Sequence, residues 1–107
     1  MNRVRKIIHT DYAYKAGLSG KNVTVAIMDT GIVPHVDFGN RIRYFGDLCE
    51  GKTGLYDDNG HGTHVSGIVA GSGEASRKEY GMPVCHGIAP QADIVMLKVL
   101  DAKGNGL

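Results

Sequence analysis

The sequence predicts an α/β layer built on a parallel sheet, a partial doubly wound arrangement with flanking helices. Apolar, β-branched runs at 23–28 and 92–100 supply two strands, and the segment 61–70 between them has helical periodicity. The order helix, strand, strand, helix, strand, without an internal repeat, completes the case. At 107 residues and 42% hydrophobic content, the chain can form one small core.

From the amino terminus, Thr10 or Asp11 is expected to cap a short helix through Ala16, anchored by Tyr12, Tyr14 and Leu18 and stopped by Gly17. Residues 23–28 read as a strand buried on both faces. Residues 41–48 set Ile42, Tyr44 and Phe45 against Arg41, Arg43 and Asp47, the alternation of a strand nearer an edge. In 61–70, Val65, Ile68 and Val69 recur at helical spacing. Gly62 and Gly67 each cost a helix about 1 kcal/mol relative to alanine, so close packing is expected around them. The polar stretch 74–80 reads as surface loop. Residues 92–100 form the most apolar strand, of the kind found mid-sheet, yet no later strand follows to flank it. An open edge there invites self-association.

Composition narrows function mainly by exclusion. A net charge of +1 gives no electrostatic basis for binding nucleic acid or an anionic membrane. Arg3, Arg5 and Lys6 are followed by only Ile7 and Ile8 before His9, too little for a signal-peptide core, and no run approaches a membrane helix, so the chain as given is expected to be soluble. Cys49 and Cys85 match no zinc or redox motif and are expected to be free thiols.

Asp29 closes the first apolar strand at its carboxyl end, where ligands meet open parallel sheets. Alone it reads more readily as a turn cap. His61 stands 32 residues later at a helix start, behind capping groups in Asp57, Asp58, Asn59 and Gly60. A helix amino terminus disfavours imidazolium and a nearby carboxylate favours it, a balance suited to a general base. A solvated helix-start histidine is the plainer alternative. A third reading is a metal-binding domain using His61, His64, Cys85 and His86, although Gly62-Thr63 is not the Glu-x-x of a zincin helix.

Four ordered blocks go further. Asp29-Thr30-Gly31, His61-Gly62-Thr63-His64-Val65-Ser66-Gly67, Gly87-Ile88-Ala89-Pro90-Gln91-Ala92 and Leu97-Lys98-Val99-Leu100-Asp101 together resemble the subtilisin-like serine peptidases, the subtilases. The resemblance runs from Ser19 onward. It implies that residues 1–107 are the amino-terminal portion of a subtilase catalytic domain, with a helix and turn in 1–20 and a partial α/β core in 21–107. The parent protein would be a serine endopeptidase acting on polypeptides through an Asp-His-Ser triad. Asp29 would be the triad acid, His61 the base, and His64 a buried structural histidine. Gly104, Asn105 and Gly106 would receive the substrate backbone as an added strand, with Leu100 lining an adjoining subsite.

This sequence also departs from the family pattern. No Gly-Thr-Ser block occurs, and Ser19, Ser66, Ser72 and Ser76 lie in the wrong contexts for a nucleophile. The chain alone is therefore expected to be inactive, and a non-enzymatic peptide-binding or subunit-association module is the competing reading. Asp37 sits where some subtilases place a calcium ligand, but 71–83 lacks their asparagine-rich loop. The resemblance thus implies no cofactor and no metal site here, with calcium left open for the parent. Compartment is also open, because subtilases are often secreted and an intracellular form is compatible with this sequence.

Overall fold

A computed structural model describes residues 1–106. Three parallel strands, β1 (Thr24–Asp29), β2 (Ile42–Asp47) and β3 (Asp93–Lys98), form one sheet in the order β1-β3-β2. Helix α3 (His61–Ala70) lies against β1 and β3. Ile27, Ile94 and Met96 from the sheet meet Ala70 of α3 in the core, with Ile32 and Phe38 from the loop after β1. Two short helices, α1 (Asn2–Ile7) and α2 (Thr10–Lys15), precede the sheet, and α4 (Glu74–Tyr80) follows α3.

The parallel α/β layer agrees with expectation, but four local readings do not. First, the apolar final strand is not an edge. β3 pairs with both other strands because the chain returns between them, so the unpaired edges belong to β1 and β2. The free β3 edge expected as a route to self-association is therefore not present. Second, β1 is covered on one face only: Ile27 and Asp29 are buried, while Thr24, Ala26 and Met28 are exposed. Among the described helices only α3 packs on the strand, and it occupies one side.

Third, residues 74–80 are helical rather than irregular. Glu74 in the first turn and Arg77 and Lys78 in the last complement the helix dipole, and Gly73 and Gly81, both at positive φ, frame it. Fourth, α2 begins with His9 at its N-cap in a left-handed conformation, not with a Thr10 or Asp11 cap. Of its three expected anchors only Tyr14 is engaged, its hydroxyl donating to the Ile88 carbonyl at 2.6 Å; Tyr12 and Leu18 are exposed. Gly17 follows with φ +81°, a conformation that ends a helix without steric cost only for glycine.

Helix α1 has no counterpart in the sequence pattern. Its one buried residue is Arg5, whose guanidinium donates to the carbonyls of His86 at 2.5 Å and Val84 at 3.1 Å. A long-range bond to backbone thus pins the amino terminus to the segment before β3.

Candidate active site

The carboxyl end of β1 delivers Asp29 to the inner face of the sheet, and the first residue of α3 delivers His61 above it. His61 Nδ1 lies 2.9 Å from Asp29 Oδ1 and 3.1 Å from Oδ2. The two side chains differ sharply in exposure, 11% for the acid and 64% for the imidazole. Asp29 also accepts from the Thr30 amide at 2.7 Å, a buried bond that orients the carboxylate from below. The arrangement fixes one ring nitrogen on a carboxylate and presents the rest of the ring to solvent, as a general base requires.

Two glycines make this approach possible. A Cβ on Gly62 would stand 2.2 Å from the Gly31 carbonyl oxygen and 3.2 Å from Asp29 Oδ1. A Cβ on Gly31, itself at φ +127°, would stand 2.1 Å from the Tyr56 carbonyl oxygen. Close packing, expected from the helix-propensity cost, therefore holds for Gly62. At Gly67 an added Cβ would meet nothing within 4 Å.

The first turn of α3 is satisfied by side chains from outside the helix. Asn59 Oδ1 accepts from the His61 amide at 3.1 Å, Thr30 Oγ1 from the Gly62 amide at 2.8 Å, and Asp57 Oδ2 from the Thr63 amide at 2.8 Å. Amides left free at a helix start need such partners. Burial acts to raise the Asp57 pKa, but hydrogen bonds from Thr63, Gly60 and Thr30 outweigh it and bring the carboxyl down to about 2. It is an anion at neutral pH.

Below the pair, Lys98 is almost wholly buried, at 1% exposure. Its ammonium donates to the carbonyls of Thr30 at 2.7 Å and Leu100 at 2.8 Å and to Asp58 Oδ1 at 2.8 Å, and it lies over the Tyr56 ring. The only signal of this role in the sequence is a lysine in an apolar strand, which by itself calls for an unusual partner set. The Tyr56 hydroxyl in turn donates to Asp47; burial tends to raise that carboxyl, yet the hydrogen bonds hold it at about 2.

The candidate substrate segment adjoins the pair. The amides of Val99 and Leu100 donate to the Asp29 carbonyl at 3.0 and 3.2 Å. Leu100 forms an antiparallel bridge with Gly106, and Asp101 closes the turn by accepting from the amides of Lys103 and Asn105, with Gly104 at φ +81°. Gly104, Asn105 and Gly106 are exposed and Leu100 is half-buried. Asn59 ties this turn to the helix start, since its Nδ2 donates to the Ala102 carbonyl at 2.9 Å.

His64 is exposed rather than buried, because no described element covers its side of α3. Together with Cys85 and His86 it lines an open groove of about 480 Å³, away from the ring contact of His61 with Asp29. Among the described residues no three His, Cys, Asp or Glu side chains are placed to hold a metal ion. Both cysteines are free thiols, Cys85 exposed and Cys49 half-buried. No described helix is long and apolar enough to cross a membrane.

An acid at a strand end hydrogen-bonded to a histidine at a helix start, in a parallel α/β layer, is an arrangement able to work as an acid–base pair. Comparison with known proteins makes the class specific. The sequence pattern of the subtilase family matches residues 20–107, and the chain belongs to that family. It is 51% identical over 89 residues to the serine protease AprX of Bacillus subtilis, covering 83% of this chain and 19% of that protein. It is 40% identical over 94 residues to subtilisin Savinase of Lederbergia lenta, covering 88% of this chain and 32% of that one. The crystal structure of a cold-adapted subtilisin-like serine proteinase superposes with a TM-score of 0.68 at 33% identity, over 84% of this chain and 29% of the other. The chain thus spans roughly a fifth to a third of these relatives.

Proposed function

We propose that this chain is the acid–base portion of a subtilisin-type serine endopeptidase, corresponding over residues 1–107 to the amino-terminal part of the catalytic domain. The observation that carries this reading is the 2.9 Å contact between His61 Nδ1 and Asp29 Oδ1. Asp29 holds the tautomer with hydrogen on Nδ1, which leaves Nε2 to take the proton of a serine hydroxyl. The imidazolium so formed, stabilised by Asp29, returns that proton to the leaving amine. Leu100 and Gly104 to Gly106 would accept a polypeptide substrate by main-chain pairing, and the bridge from Leu100 to Gly106 supports a strand-like edge there.

The nucleophile is not among the serines of this chain. Ser19 Oγ is bonded to Gln91, Ser66 donates to Gly62, Ser72 accepts from the Glu74 amide, and Ser76 donates to Gly73. The chain alone is therefore inactive in this reading, and only the whole serine-bearing protein hydrolyses peptide bonds. A non-catalytic association module is the second reading, favoured by the exposed apolar face around Met28.

One pair of assays separates the readings. The 107-residue chain should neither turn over a chromogenic peptide nor take up an active-site phosphonate. In the whole protein, His61→Ala should lower kcat by about 10⁶ and Asp29→Asn by about 10⁴, the magnitudes of the serine-protease type cases. Wild-type activity in either variant would refute the assignment of roles, and covalent labelling of the isolated chain would refute the placement of the nucleophile.

A further inference from the structure

We infer that Asp57 and Thr30 are positioning residues, a clamp that fixes the turn after Asp29 to the helix start that carries His61. The inference rests on the acid–base reading above and concerns residues that touch neither substrate nor reacting atoms.

Thr30 is the residue next to the acid and is 1% exposed. Its hydroxyl acts in both directions: it donates to Asp57 Oδ1 at 2.8 Å and accepts from the Gly62 amide at 2.8 Å, the residue next to His61. A single oxygen therefore joins the neighbours of both members of the pair. Asp57 completes the clamp. Its Oδ1 also accepts from the amides of Asn59 and Gly60, and its Oδ2 accepts from the amide and hydroxyl of Thr63. Backbone pairing reinforces the clamp, with Gly31 in an antiparallel bridge to Asp57 and the Ile32 amide donating to the Tyr56 carbonyl at 3.1 Å.

The chemistry of this arrangement needs a carboxylate. Every hydrogen bond that Asp57 makes is one it accepts, and both oxygens are used. An asparagine would turn an N–H group towards donors whichever way its amide faced, so it would oppose either Thr63 or the Thr30 and Gly60 side. At position 30 a serine keeps the shared oxygen and a valine removes it at nearly constant volume. His61 is mostly exposed, so its placement depends on bonds at the helix start, where these join the one from its own amide to Asn59 Oδ1. A misplacement of about 1 Å at a base costs on the order of 100-fold in rate.

The test uses the 107-residue chain with ¹⁵N-labelled histidine. The unaltered chain should give a low-field Nδ1–H proton for His61 and ring ¹⁵N shifts of the Nδ1-protonated tautomer. Thr30→Ser should keep both. Thr30→Val and Asp57→Asn should lose the low-field proton and let the neutral ring populate both tautomers, with amide dispersion retained. In the whole protein the same two variants should lose about 100-fold in kcat at nearly constant KM. Unchanged proton and ring shifts in Thr30→Val and Asp57→Asn would overturn the clamp. So would loss of amide dispersion in both variants, which would make the two residues determinants of folding and not of position. If Asp57→Asn alone unfolds, the ring shifts of Thr30→Val decide the matter. A missing low-field proton in the unaltered chain is a different failure, since it would sink the Asp29–His61 pair itself.

Discussion

The two faces of the sheet are built from the same three strands and have different fates. On the inner face, Ile94, Met96 and Lys98 of β3 are buried to 0, 0 and 1% exposure under α3. On the outer face Met28 of β1 is 68% exposed and Tyr44 of β2 60%, with Val95 and Leu97 half-buried between them. Asp29 and Lys98 are register partners and both point inward, so the candidate site stands at the end of the packed face. A precise acid–base contact therefore requires only one completed layer. The helix that buries that layer also carries His61.

The contrast can be broken by mutation. Ile94→Ala should have the largest effect, lowering stability by about 2–5 kcal/mol through lost burial and a residual cavity, measured as a shift in the urea midpoint. A shift no larger than that of an outer-face variant would show the inner layer to be loosely packed. Lys98→Met comes next. It leaves the Thr30 and Leu100 carbonyls without their donor, at about 2–3 kcal/mol, with Asp58 able to turn to solvent. If that variant were as stable as the unaltered chain, the buried ammonium would be dispensable. Met28→Ala should be smallest, within about 0.5 kcal/mol, because the side chain is already in water. A larger loss, or a shift in apparent mass by light scattering, would mean that the outer face is covered by another copy in solution.

Much of the inner layer is legible from sequence. The β-branched run at 24–29, the apolar run at 93–98 and the helical spacing of 61–70 each report a local preference that the fold keeps. The Asp29–His61 contact is legible only because two short blocks occur together, since neither residue is distinctive alone. Strand order is not legible. A strand that comes last in sequence can lie mid-sheet once the two earlier strands are parted, and apolar content records burial but not which neighbours provide it. Helix α1 escapes sequence reasoning because Arg5 is held by carbonyls 79 and 81 residues away. In the sequence Asp57 is one of several capping groups. Its link to Thr30 is tertiary, and nothing in the spacing of 27 residues announces it.

The glycines at 31 and 62 have a wider consequence. Where backbone rests against backbone, main-chain atoms set how closely strand end and helix start can approach, and the Thr30 and Asp57 side chains hold them there. A single methyl at either glycine would push the two segments apart, a change that no side chain could reverse.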